Sequence, residues 1–178
     1  MSEKPSYLGL LNAISVAESD AGKYLAAWAA VTPSDDVKAV LSTVALRESE
    51  HGLAFAKRID ELGYSVIPKH DPKHAERMVI AGSNVLSDKE KFEALSLGRS
   101  PQNGARDIFD TFFENKDLDP VTGALLGRYV AEERDSGRKL AECYRLLCAD
   151  AERSTKTTSS RAKTKTKAKT KAKTKTKR

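Results

Sequence analysis

The chain has 178 residues, with 31 Lys and Arg against 25 Asp and Glu and a formal charge of +6. That figure averages two unlike pieces, because residues 153–178 carry twelve basic side chains and no acid, so residues 1–152 sum to −6. No run approaches the roughly 18 apolar residues of a membrane span, and no apolar segment follows the opening Met1–Ser6 as in a secretory signal, which excludes both classes and gives the expectation of a cytoplasmic protein.

Caps and breakers divide the body. A first helix is predicted from about Tyr7 to Val31, after Pro5-Ser6. Thr32 followed by Pro33 and the early acid Asp35 reads as an N-cap, a Pro at the first helical position and a favourable dipole charge, opening a second helix that Gly63 stops near Leu62. Asp71-Pro72 opens a shorter segment fading near Gly82, and Ser87-Asp88-Lys89-Glu90 has capping-box spacing for another that ends near Gly98. Residues 99–104 read as a break and 105–114 as a short segment apolar on one side. Asp119-Pro120 starts a last long helix expected to reach about Glu152. No alternating stretch of good β formers occurs, so strand content near zero is expected.

Each long helix carries an apolar stripe at three- and four-residue steps. Leu11, Ile14, Ala21, Leu25 and Trp28 form the first, and Val37, Leu41, Val44, Phe55, Ile59 and Leu62 the second. Val121, Leu125, Tyr129, Leu140, Cys143 and Leu147 form the third, with Leu126, Val130, Glu133, Gly137, Leu140 and Tyr144 as a rival register. Three long helices and a broken one bury these stripes most economically as a four-helix bundle. An irregular helical domain sharing its core with a partner chain is the alternative. Cys143 and Cys148 lie about 140° apart around a helix, poor geometry for a disulfide, and two thiols suit a reducing compartment.

Acids interrupt the stripes. Glu18 falls between Ile14 and Ala21, Glu48 and His51 fall between Val44 and Phe55, and Glu132 follows Tyr129, with Asp135 three residues on. Carboxylates facing one another in a core repel unless protonated, paired or neutralised by cations. Glu48 and His51 share a helix face one turn apart, and with a Glu from a neighbouring helix they make half of the two-metal sites that helical bundles build. The ligand mixture suits iron or manganese. A turn centred near Pro33 brings Glu18 and Glu48 to one height, each being fifteen residues from it. Solvated acids on a helix flank are the plainer alternative. In the rival register Glu133 points inward and Ser136 follows it without a ligand. The third-helix acid should stand between Gln102 and Asp107, with Asp107 nearest and Asp110, Glu90 and Glu93 behind it. His70 and His74 are separated by the Asp71-Pro72 helix start and read as a solvated pair.

Glu18 with Tyr24, then Arg47-Glu48-Ser49-Glu50-His51, then Asp119-Pro120-Val121-Thr122 leading to Glu132-Glu133-Arg134-Asp135, resemble the ferritin-like superfamily, in particular its rubrerythrin and bacterioferritin branch, over residues 7–150. The resemblance implies an all-α, ferritin-like four-helix bundle with a broken third helix. It also implies metal ligation by Glu18, Glu48 and His51, with the second Glu-x-x-His falling on Glu132 and Asp135, where Asp replaces His. Oxygen- or peroxide-linked redox chemistry, or iron handling, is the corresponding activity.

Residues 153–178 form a separate basic tail beyond the domain at 7–152. Every odd-numbered residue from Lys163 to Lys177 is Lys, separated by Thr or Ala, and nothing apolar offsets the entropy of ordering, so disorder is expected. Arg161, Lys163, Lys165, Lys167, Lys169, Lys171, Lys173, Lys175, Lys177 and Arg178 can neutralise DNA, RNA or another polyanion as a polyelectrolyte, without aromatic stacking or base reading. A non-enzymatic bundle displaying such tails is the second function class. A homo-oligomer is expected, with a cage, a dimer and a monomer all left open, since repeated tails would raise avidity without specifying symmetry.

Overall fold

A computed structural model of the chain describes residues 4–69, 71–98 and 108–173, with the backbone alone at 108, 110 and 154–173. Among these the protein is an all-α bundle of five helices: α1 (Leu8–Val31), α2 (Asp35–Glu61), α3 (His74–Ala81), α4 (Asp88–Ala94) and α5 (Pro120–Lys173), with a 3-10 turn at Ile108–Phe113. No strand occurs among the described residues. None of the helices is long and apolar enough to cross a membrane.

The α1–α2 boundary differs from expectation by one cap. Ser34, not Thr32, accepts the Val37 N–H and starts α2. Thr32 is drawn elsewhere: its hydroxyl donates to Asp88 Oδ2 at 2.7 Å, while Trp28 Nε1 donates to Asp88 Oδ1 at 2.7 Å. Asp88 is thereby buried with both oxygens satisfied, and α4 is fastened over the α1–α2 turn. The Ser87–Glu90 capping box forms as the spacing predicts. Lys91, 2% exposed, donates to the Ala81 carbonyl at the end of α3 and lies over the Trp28 ring. The pair α3 and α4 is thus tied together and to the Trp28 end of α1.

The last helix starts at Pro120, where Asp119 accepts from the Thr122 N–H and hydroxyl and from Arg58, and also from the Tyr7 hydroxyl. Burial raises the Asp119 carboxyl, but these four hydrogen bonds outweigh it and hold the group well below the usual range. The expected stripe through Val121 is displaced. Val121 is 59% exposed, and the buried line runs through Thr122, Leu126, Tyr129, Val130, Ser136, Leu140 and Cys143, with Glu133 half-buried on it. The hydroxyl of Thr122, satisfied by Arg58 and Asp119, lets a polar residue take the inward position at the start of the helix. At its other end α5 packs its side chains on the bundle as far as Leu147, and the helical backbone runs on to Lys173.

Two apolar clusters fill the bundle. One gathers Leu25, Trp28, Val37, Leu41, Val44, Phe92 and Leu140 at the α1–α2 turn; the other gathers Tyr7, Leu11, Ile14, Phe55, Ile59, Leu126 and Tyr129 at the opposite end. Between them α1 and α2 approach closely. A Cβ at Gly22 would run into the Ser49 hydroxyl, with the Ala45 carbonyl at 3.1 Å; a Cβ at Gly52 would run into the Ser19 hydroxyl, with the Ser19 nitrogen at 3.0 Å. Ser15, buried in the same strip, donates to the Gly52 carbonyl at 2.9 Å. Gly52→Val is therefore expected to push the two helices apart and lower stability by about 1–3 kcal/mol, the usual cost of overpacking, measurable as a fall in the chemical-denaturation midpoint.

Candidate metal centre

The layer between the two apolar clusters is polar. Glu18 from α1, Glu48 and His51 from α2, and Glu133 from α5 each offer a donor atom, and these atoms all lie within 4.8 Å of one another. Glu18, Glu48 and His51 are 8%, 5% and 4% exposed. Their convergence follows from the local sequence: the small residues Ser19, Gly22, Ser49 and Gly52 admit the close α1–α2 contact, and the three-residue step from Glu48 to His51 aligns both along one face.

Glu18 and His51 have defined orientations. The Tyr129 hydroxyl donates to Glu18 Oε1 at 2.8 Å, and its ring meets His51 and Phe55 edge-on. Phe109 and Phe112 of the 3-10 turn lie against the same Tyr129 ring. On the imidazole, Nε2 is 2.7 Å from Glu132 Oε2, and Glu132 is held in turn by Arg128 Nε at 3.0 Å. The other nitrogen, Nδ1, faces the carboxylates and lies 3.3 Å from Glu133 Oε1, close enough for charge attraction but not aligned as a hydrogen bond. Glu18 Oε2, His51 Nδ1 and Glu133 Oε1 are all buried without a hydrogen-bond partner. Such atoms are costly in a core.

The protonation pattern follows from crowding. Burial raises Glu48 first, its hydrogen bond to Glu18 and the nearby Glu133 raise it further, and it is pushed up to about 11. Glu18 is also raised by burial, although hydrogen bonds from Glu48 and Tyr129 favour its ionised form. Glu48 is accordingly the member of the group that keeps its proton most readily. Burial opposes charging His51, but Glu133 and Glu132 outweigh it and raise the imidazole. Tyr24, also near these carboxylates, is driven up to about 12 by burial.

The expected ligands are therefore distributed unequally. Glu18, Glu48 and His51 come together. Glu132 stands outside the inner group, on the far nitrogen of His51, and Glu133 takes the inward place, as in the rival register. Asp135 is turned away: Arg47 donates to its Oδ2 at 2.6 Å, Lys139 at 2.7 Å, and Arg138 lies 3.4 Å from Oδ1. Asp107 lies outside the described residues, as do His70 and the side chains of the basic tail. The signal that could have selected Glu133 is Thr122, since a buried residue there turns Leu126 and Glu133 inward and Val121 outward. His74 is half-buried at the start of α3, with Nδ1 3.6 Å from Asp20 of α1. Both cysteines are free. Comparison of the chain with family models, with curated proteins and with solved structures gives no match.

The four inner residues can hold one metal ion, three carboxylates and an imidazole being a set that suits borderline divalent cations. Without one, the layer has a pH signature. Glu48 binds its proton more tightly folded than unfolded, so between the ordinary carboxylate pKa and its raised value the native state holds more protons, and stability falls as pH rises. EDTA-treated protein is expected to lose up to about 1.4 kcal/mol per pH unit above about pH 5. Glu48→Gln should flatten that slope and be the more stable form at pH 8, as measured by urea denaturation across pH.

Proposed function

We propose that this is a ferritin-like, metal-binding helical protein whose domain at 7–152 holds iron or manganese for oxygen- or peroxide-linked redox chemistry or iron handling. The observation that carries this reading is the gathering of donor atoms from Glu18, Glu48, His51 and Glu133 within 4.8 Å of one another, with Glu18 Oε2, His51 Nδ1 and Glu133 Oε1 buried and making no hydrogen bond. The one contact among them is the 3.3 Å charge pair of His51 Nδ1 with Glu133 Oε1, and a cation in their midst would satisfy all three together. The order of helices and the Glu-x-x-His on α2 favour the ferritin-like assignment, and the carboxylate-rich donor set favours iron or manganese over softer metals.

Within such a centre the protein's own groups have separate tasks. Glu132 fixes the imidazole with Nδ1 inward, the outer-shell carboxylate arrangement that keeps a metal-binding His oriented. The Tyr129 hydroxyl holds Glu18, and the buried rings of Tyr129 and Phe55 pack against each other beside the layer. Glu48 must give up its proton to ligate, so uptake of a cation releases it. Iron or manganese, when bound, would supply the one-electron chemistry that these side chains lack. Protein purified after supplementation with either metal is expected to hold it at near-stoichiometric level, and His51→Ala and Glu18→Gln should each weaken Mn²⁺ binding at least about tenfold by titration calorimetry. Unchanged affinity in both variants would remove the layer from the function.

A second reading concerns the tail at 153–178, favoured by its twelve basic side chains without a single acid. We infer that it binds DNA, RNA or another polyanion by counterion release, in a reducing, cytoplasmic setting and on a homo-oligomeric bundle that presents several tails together. The full chain should bind duplex DNA with a steep salt dependence, and a 1–152 truncation should lose that binding while keeping its helical circular dichroism. Equal affinity of the two would exclude the tail.

A further inference from the structure

Two metal ions are what the ferritin-like resemblance implies, yet the residues beyond Glu133 do not fit a second one. The inward register on α5 puts Ser136, not a histidine, one turn on from Glu133. Ser136 is 2% exposed, and its Oγ accepts from the Arg47 guanidinium at 3.3 Å. The same guanidinium nitrogen donates to Asp135 Oδ2 at 2.6 Å. Arg47 precedes Glu48 directly, so a fixed positive charge is tied to the α2–α5 seam one step from the inner group.

We propose that the centre is mononuclear, with the Arg47 guanidinium and its counter-ion Asp135 standing in for the second metal ion beside Ser136. This rests on the metal reading above. The supply of donors supports it first. Paired ions sit about 3.5–4 Å apart and share bridging carboxylates, but here the four inner residues crowd their donor atoms within 4.8 Å, the span of one coordination sphere. No second group of three donors exists among the described residues. The neighbouring acids are spent: Glu132 on His51 and Arg128, Asp135 on Arg47, Lys139 and Arg138. Electrostatics supports it next. A cation placed one turn beyond Glu133 would meet a neutral hydroxyl and the positive guanidinium of Arg47, so it would be repelled where a ligand is needed. Among the described residues, the buried atoms of this layer that make no hydrogen bond belong to Glu18, His51 and Glu133, all members of the one donor group.

The test is Mn²⁺ uptake by the EDTA-stripped full chain, followed by equilibrium dialysis and electron paramagnetic resonance. One ion per chain with an uncoupled six-line spectrum is expected. Two ions per chain, or an exchange-coupled spectrum, would overturn the proposal while leaving the metal reading intact; no uptake at all would overturn both. The double variant Arg47→Met with Ser136→His removes the fixed charge and supplies the missing imidazole, and should take up a second Mn²⁺ and show coupling. If it folds with native helicity yet stays at one ion, the role given to Arg47 and Ser136 is wrong. The wild-type stoichiometry decides the nuclearity whether or not that variant folds.

Discussion

The rest of the molecule depends on how closely α1 and α2 can approach. Two glycines, each facing a serine of the opposite helix, remove the side-chain volume that would hold the backbones apart. The contact fixes the height of Glu18 against Glu48 and His51, and α5 needs only to lay Glu133 and Tyr129 across the pair. A wider α1–α2 spacing would leave the same acids solvated, each free to ionise, with no cation required. The chemistry of the layer is a consequence of backbone proximity as much as of ligand type.

Charge is handled differently in the inner and outer parts of the layer. Inside, too few hydrogen bonds are available for the carboxylates present, so a proton is retained on Glu48 and three donor atoms remain unmatched. Outside, every acid that approaches the layer meets a base: Glu132 meets Arg128, and Asp135 meets Arg47 and Lys139. The saturated rim confines the unsatisfied potential to one small volume. That gradient separates a binding site from a generally acidic helix face.

Much of this was legible in the sequence, and what was not has identifiable causes. The helices of the body were marked by caps and breakers with local signatures, as Ser87 with Glu90 and Asp119 with Pro120 illustrate. Glu18, Glu48 and His51 could be placed together because one short turn joins their helices and fixes the relative height. On α5 that advantage disappears. Its position is set through long connections, and Glu132 and Glu133 differ by only 100° of rotation, so periodicity offered two stripes of similar quality. The choice was made by Thr122, a residue that composition rules place outside, but which the Asp119 and Arg58 hydrogen bonds carry into the core. Thr32 misled for a related reason. A good N-cap residue was claimed by a tertiary partner, Asp88, and the adjacent Ser34 took the cap.

The polar layer also divides the hydrophobic interior into two compartments, one around Trp28 and Phe92 and one around Phe55 and Tyr129. Among the described residues they form separate clusters, joined by the three long helices that pass through both. Mechanically the molecule resembles two small cores on a common set of rods, with a hydrophilic plate between them. Damage at one end is transmitted to the other only along those rods or through the plate, so substitutions in opposite compartments should combine additively, as independent sites do. The plate is then the one place where the two halves hear each other, and whatever occupies it sets how far the bundle behaves as a single cooperative unit.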